Sequence, residues 1–528
     1  MTLILPMGIP CYFKQVIRTY RNVMIEYTEQ NTVIHNLYLD AQSIIYDSVQ
    51  SMEPSMEPSI DYEQRLIQDV VKKIGHYINT IHPTEKVMIS FDGVAPAAKL
   101  SQQQTRRYKS AIEKQIYTQS GVPMPERWNT SLITPGTAFM QSLSEYVINH
   151  FIHPKKYGIK EFIITTSNDP GEGEHKIFEY IRENISYHRK TTTAIYGLDS
   201  DLIMLTLNHT LYTKQLYLYR ETPHYIQSID STLKPNVNYV IDIHAMAIAV
   251  SKELGDKDNP EQCVPDYIFL CFFLGNDFLP HFPCMNLRTN GLSYLTTMYK
   301  KVVNTHGHLI SSKGIVWKNV RELIHLLSNH EEEWFKHEHT VRNKCMKQIE
   351  LNPLNDIPTS LQNLPITDRR TEQYINPFED GWRERYYHSL LHSQRTECMK
   401  KQVSIHYLEG LEWTYKYYTF GCPDWEWMYP YNYPPLLCDL KEHVPTTCTE
   451  WIPLNPKPSI SPNVQLAYVL HPSCLHYLPD NLREILLQTH PEWYDESRIS
   501  VEYAYCRYFW EGHVNSPIRL STLQQLIQ

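Results

Sequence analysis

The sequence predicts an α/β fold with a largely parallel central sheet flanked by helices, and a helix-rich, aromatic second region packed on it. Three observations carry this expectation. Through the first half, short apolar runs alternate with amphipathic stretches, the order expected when parallel strands are joined by crossover helices. Acidic residues stand immediately after several of those runs, and from Phe378 onward the composition turns to dense Trp and Tyr.

The strand candidates, in order, are Val33 to Leu39, Val87 to Phe91, Glu161 to Thr166, Thr193 to Leu198 and Tyr239 to Ile243. Between them the apolar spacing changes to that of helices, for example over Tyr62 to Ile81 and Glu174 to Arg182. A first region over residues 1–293 gives way to a weakly patterned connection over 294–377 that mixes helix with irregular chain. A second region over 378–528 carries FEDGWRERYY and LEGLEWTYKYYTFGCPDWEWMYPYNYPP. The tandem SMEP repeat from Ser51 to Ser59 reads as a loop lengthened by duplication, because Pro54 and Pro58 lack amide donors.

With 528 residues and 42% hydrophobic side chains, the chain has the composition of a folded protein with a sizeable core. A net charge of -9 excludes a broadly basic nucleic-acid coat, so any nucleic acid must meet a local patch. The 11 Cys are scattered without a CxxC pair, which predicts free thiols. No apolar run reaches the roughly 18 to 20 residues of a membrane span, and the opening MTLILPMGIP is too short for a signal peptide. A soluble, cytoplasmic monomer is the expectation.

Asp40 in LYLDAQ, Asp92 in ISFDG, Glu172 and Glu174 in PGEGEHKI, Asp199 and Asp201 in YGLDSD, and Asp277 in FLGNDF each follow an apolar run. In an open α/β sheet the carboxyl ends of parallel strands share one rim, so these side chains can converge there although they are distant in sequence. Packed carboxylates repel unless cations neutralise them, and an all-oxygen site suits a hard ion such as Mg²⁺ or Mn²⁺. Two such ions about 4 Å apart activate water and stabilise the leaving oxygen of a phosphodiester. A single Asp at a strand end more often caps the next helix, but seven in this pattern resist that explanation. Asp266, eleven residues before Asp277, reads as a cap or local hydrogen-bond partner, and His175 as a packed neighbour of the site.

Directly after Asp92 comes GVAPAAKLSQQQTRRYK. On a helix, Lys99, Gln103, Arg106 and Arg107 stand at i, i+4, i+7 and i+8, one face with two guanidinium forks, an ammonium and an amide suited to a terminal phosphate. Such a pattern is ordinarily a solvated helix face. Its place beside Asp92 favours a phosphate pocket.

Taken in order, MGIPCYF, NLYLDAQSII, FDGVAPAAKLSQQQTRRYK, ITPGTAFM, PGEGEHKI, YGLDSDLIML and FLCFFLGNDFLPHFP resemble the nuclease motifs of the XRN 5′-to-3′ exoribonucleases. The Trp and Tyr-rich block resembles that family's second shared region. The resemblance implies a fold like that of the flap nucleases, with 1–293 as the nuclease domain and 378–528 completing its pocket. It implies that the seven carboxylates hold two Mg²⁺ ions, and that Lys99, Gln103, Arg106 and Arg107 bind the 5′-monophosphate of single-stranded RNA. It further implies processive release of mononucleotides in mRNA decay. The chain resembles the compact forms encoded by large DNA viruses, without the family's long C-terminal extension. One departure stands out: where the family's first motif reads LDMNGIIH, this chain has LDAQSIIY, so Tyr46 takes the place of the histidine expected to stack on the first base. Base stacking on an aromatic ring is worth about 1 to 3 kcal/mol and tolerates the exchange. Either Trp425 or Trp427 is the partner ring.

Two rival functions fit parts of the pattern. A flap-type, structure-specific DNA nuclease also gathers carboxylates over metals, but the basic segment after Asp92 and the aromatic second region favour the exoribonuclease. An inactive RNA-binding scaffold is disfavoured because every expected carboxylate is present.

Overall fold

The computed structural model describes residues 12–28, 32–52, 60–123, 128–221, 226–235, 237–256, 259–455 and 459–527. Residues 53–59 of the SMEP repeat and 7–11 of MGIPCYF lie outside them. Seven strands form the central sheet: β1 (Met24–Glu26), β2 (Asn36–Asp40), β3 (Lys86–Ser90), β4 (Glu161–Thr165), β5 (Thr192–Tyr196), β6 (Gln215–Arg220) and β7 (Tyr239–Asp242). Their spatial order is β1-β7-β6-β5-β2-β3-β4. The five strands from β4 to β6 in that order are mutually parallel, and β7 and β1 close one edge antiparallel.

Each of the five strand candidates corresponds to a strand. Sequence reasoning passed over β1, which is only three residues long, and β6, whose QLYLYR buries Leu216 and Leu218 between tyrosines. Period-two alternation divides the sheet's side chains between two cores. Tyr38 and Ile195 join the Gly173–Glu183, Asp201–Asn208 and Pro260–Phe272 helices on one face. Leu37, Leu39, Ala194 and Tyr196 join the Ile60–Ile81 and Ala138–His150 helices on the other.

The stretch read as partly irregular is largely helical, with Gly291–His306, Trp317–Ser328 and Glu331–Leu351 as its main elements. The second region shares the first core: Tyr407 and Trp413 of the Glu397–Thr419 helix pack with Phe278 and Phe282. A third core sets Val94, Ala97 and Leu100 against Val464, Leu466 and Leu523, so the final residues pin the base of the Ala97–Gln119 helix. A buried ion pair ties down the middle: Arg342 and Arg369 both reach Glu372, at 2.6 and 2.5 Å, and Glu372 also accepts the Tyr505 amide. The cysteines among the described residues are free thiols. No helix among those residues is long and apolar enough to cross a membrane.

The chain order reverses at β2. From there it proceeds to β3 and β4 on one side, then returns to add β5 and β6 on the other. A crevice at the carboxyl ends of β2 and β5 follows from that reversal, the usual place for a ligand in such sheets.

Candidate active site

That crevice collects the acidic residues. Asp40 is the last residue of β2 and is buried, its Oδ1 meeting the Gln42 amide at a long 3.4 Å. Asp92 follows β3, and its Oδ1 accepts the Gly173 amide at 2.7 Å, which draws the segment after β4 across the end of β3. Glycines make that approach possible. A Cβ on Gly173 would lie 2.9 Å from Asp40 Oδ1 and 3.0 Å from the Ser90 carbonyl, and one on Gly93 would lie 1.8 Å from the Asp169 carbonyl. Gly171 turns the chain with φ +100°, a left-handed conformation that side chains other than glycine rarely adopt.

The capping explanation for these acids holds only in part. Glu172 is the N-cap of the Gly173–Glu183 helix, yet its side chain accepts no amide hydrogen. Its Oε1 accepts the Tyr417 hydroxyl at 2.7 Å, and its Oε2 lies 2.7 Å from Lys99 Nζ. Glu174 and Asp201 are buried in the first turns of their helices, where the macrodipole favours a negative charge. One ligand oxygen each from Asp40, Asp92 and Glu174 fall within 4.8 Å of one another, and so do Glu172, Glu174 and a ring nitrogen of His175. Asp277 completes the rim through Lys99, whose Nζ stands 2.5 Å from its Oδ2.

Electrostatics joins the seven acids into one neighbourhood. Burial pushes Asp40 well above the usual carboxylate range, and Asp92 and Asp199 push it further. Burial raises Glu174, with Glu172 and Asp40 adding to it. Burial and then Asp277 raise Asp201. Asp199 goes from 3.8 to about 6 through burial, with Lys99 opposing and Asp277 assisting. Burial works against the charge of Lys99, yet Asp277 and Glu172 hold its ammonium well above the ordinary lysine range.

So many buried carboxylates around one lysine leave a surplus of negative charge, and hard oxygen donors are what a divalent cation needs. The residues fit such an ion. An acid whose pKa is raised by folding is stabilising below its unfolded value and costs stability as the pH rises through the folded one. For Asp199 that window runs from 3.8 to about 6, and Asp40, Glu174 and Asp201 shift in the same direction. In EDTA, the carboxylates' contribution to the melting temperature should therefore fall between about pH 4 and pH 6, the window set by Asp199. Mn²⁺ added at the higher pH should restore it, because a ligand that binds only the folded state stabilises that state. Differential scanning fluorimetry over that range checks this; a cation without effect would mean that the carboxylates do not form a binding site.

Asp266 is a hydrogen-bond hub away from this rim. It is fully buried and accepts from Tyr299, His308 and the amides of Leu309 and Ile310 at 2.6 to 3.0 Å. Its helix, Pro260–Phe272, ends before Asp277, so the two acids share no helical face. His175 is packed, its ring stacked on Tyr417 with centroids 3.7 Å apart.

The basic segment is helical, as its spacing requires, but its four polar residues are differently placed. Lys99 turns to the carboxylates. Gln103 is buried and accepts from Gln465 at 3.1 Å. Arg107 donates through Nη2 to Thr134 at 2.6 Å, while its buried Nη1 has no hydrogen-bond partner among the described residues. Burial pulls its pKa down to about 10, with Tyr46 nearby opposing the shift. Arg106 lines a cavity of about 1070 Å³ together with Asp277, Phe278, Lys109 and Tyr431.

The two tryptophans separate. Trp427 stacks on the buried Trp413, 5.4 Å between centroids, and packs against the core. Trp425 stands at the rim: its carbonyl accepts the Ala97 amide at 2.9 Å, and its ring comes within 4.0 Å of where a Cβ on Gly171 would be. Sequence reasoning missed Tyr417 and Lys176. Lys176 ties the loop after β4 through the carbonyls of Thr166 and Asp169, at 3.0 and 2.9 Å. Its place in GEGEHKI was a usable signal, whereas nothing distinguished Tyr417 from the tyrosines around it.

Known proteins match nearly the whole chain. Residues 7–222 match the family described as XRN 5′-3′ exonuclease N-terminus, and residues 257–362 and 361–512 match the Xrn1 helical domain. A Drosophila melanogaster 5′-3′ exoribonuclease 2 homolog is 27% identical over 82% of this chain and 61% of its own length. The Arabidopsis thaliana 5′-3′ exoribonuclease 2 is 25% identical over 96% of this chain and 65% of its own. The chain thus spans somewhat less than two thirds of these relatives. The catalytic core of Rad2 in complex with a DNA substrate aligns at 15% identity over 63% of this chain and 79% of that one, with a TM-score of 0.30, too low to bear on function. With both family regions matched in order and the acidic rim assembled between them, the chain belongs to the XRN 5′-3′ exonuclease family.

Proposed function

We propose that this protein degrades single-stranded RNA from a 5′-monophosphate end, processively in the 5′-to-3′ direction, and takes part in mRNA turnover. The observation that carries the proposal is the junction at Asp92: a rim of seven acids meets, within a few residues, the start of a helix bearing Lys99, Gln103, Arg106 and Arg107. That junction supports a reading in which hydrolysis and end recognition share one pocket.

Asp40, Asp92, Glu172, Glu174, Asp199, Asp201 and Asp277 would hold two Mg²⁺ or Mn²⁺ ions. Such ions, when bound, supply a nucleophilic hydroxide at neutral pH and neutralise the leaving oxygen. The chain's own residues do the rest. The arginines offer planar donor forks to the terminal phosphate, and the buried Nη1 of Arg107, without a hydrogen-bond partner among the described residues, is a donor suited to an added acceptor. Tyr46 and Trp425, one from each region, are the rings we assign to stacking on the first base, in a sequence-tolerant way.

The test is a decay assay on one RNA carrying a 5′-monophosphate, a 5′-hydroxyl or a cap, with and without Mg²⁺, beside the matching 5′-phosphorylated DNA. Rapid, Mg²⁺-dependent loss of the 5′-monophosphate RNA alone is expected. Preference for the DNA would overturn the substrate assignment, and decay without added or bound metal would overturn the chemistry.

A further inference from the structure

We propose that Tyr417 is a positioning residue for Glu172, through which the second region sets the geometry of the acidic rim. The inference rests on the metal-site reading above and deepens it.

Glu172 is held at both oxygens. Lys99, from the helix that follows β3, takes Oε2, and the Tyr417 hydroxyl, from a helix 245 residues away in sequence, donates to Oε1 at 2.7 Å. The last torsion of a glutamate is broad and costs little to rotate. Two donors approaching different oxygens remove that freedom. Tyr417 in turn has little room to move: it is 2% exposed and stacks on His175 at 3.7 Å and on Trp413 at 4.7 Å, with Phe278 edge-on at 5.4 Å. Trp413 is itself fixed, fully buried and donating to the Asp424 carbonyl at 2.9 Å. A buried tyrosine hydroxyl needs a partner, and the one this stack delivers it to is a carboxylate of the rim. Groups that orient a metal-binding side chain from outside typically account for about 10 to 100-fold in metal affinity or activity.

Tyr417→Phe removes the hydroxyl and keeps the stacked ring. On the metal-stripped full chain, calorimetry should show Mn²⁺ binding about tenfold weaker or more, and RNA decay by the variant should recover as Mn²⁺ is raised. Tyr407→Phe is the control: it deletes a hydroxyl from the same helix that donates instead to the Pro280 carbonyl at 3.1 Å. It should lower the melting temperature and leave Mn²⁺ affinity unchanged. Affinity within about twofold of the parent for Tyr417→Phe, or an equal loss for Tyr407→Phe, would overturn the proposal. Asp92→Asn separates the two levels. If it abolishes Mn²⁺ binding while Tyr417→Phe leaves it intact, only the positioning role falls; if the parent chain binds no Mn²⁺, the metal-site reading falls and takes this proposal with it.

Discussion

The Asp199→Asn, Asp201→Asn double variant is expected to lose about a thousandfold or more in the rate of RNA decay while staying folded. Metal-borne charge stabilisation in a phosphodiester transition state is worth several kcal/mol, and each 1.36 kcal/mol is tenfold in rate. Asparagine keeps the size of aspartate and removes the charge that would attract a cation. The same exchange removes like-charge repulsion, since Asp277 opposes the ionisation of both residues and Asp199 opposes that of Asp201. The variant should therefore melt no lower than the parent in EDTA, which separates lost chemistry from lost structure. Unimpaired decay would place the active site elsewhere.

Replacing Arg106 and Arg107 together by alanine should slow 5′-monophosphate RNA by about a hundredfold in kcat/KM and change 5′-hydroxyl RNA by only a few fold. Hydrogen bonds to charged groups contribute roughly 1.5 to 3 kcal/mol each, and only the phosphorylated end can accept them. Lys99 is unsuited to this test, because its ammonium is also the counter-charge of Glu172 and Asp277, and its loss would disturb the acidic rim on any substrate. Gln103 is likewise engaged, by Gln465. Equal losses on both RNAs would remove the arginines from end recognition.

The site was legible to different depths. The acids after strands could be found because parallel strands present their carboxyl ends on one side, so an apolar run followed by Asp or Glu already encodes a shared rim. Asp266 is a hydrogen-bonding acid, as expected, but its partners Tyr299, His308, Leu309 and Ile310 are distant in sequence rather than local, which the residues around it could not reveal. The placement of the basic face was less legible. Helical spacing puts Lys99, Gln103, Arg106 and Arg107 together, but it carries no information on what stands opposite each one, and the structure gives the four of them four different surroundings.

The sequence by itself therefore determined the fold class, the family and the chemical character of the site, since apolar periodicity and the order of motifs are local properties of the chain. Only the tertiary structure decided which partners those residues have. The contact between Lys99 and Asp277 spans 178 residues, and that between Tyr417 and Glu172 spans 245. At such separations nothing in the neighbouring residues records the pairing. It arises when the sheet's reversal at β2 and the packing of the second region's aromatic core bring distant segments to one rim.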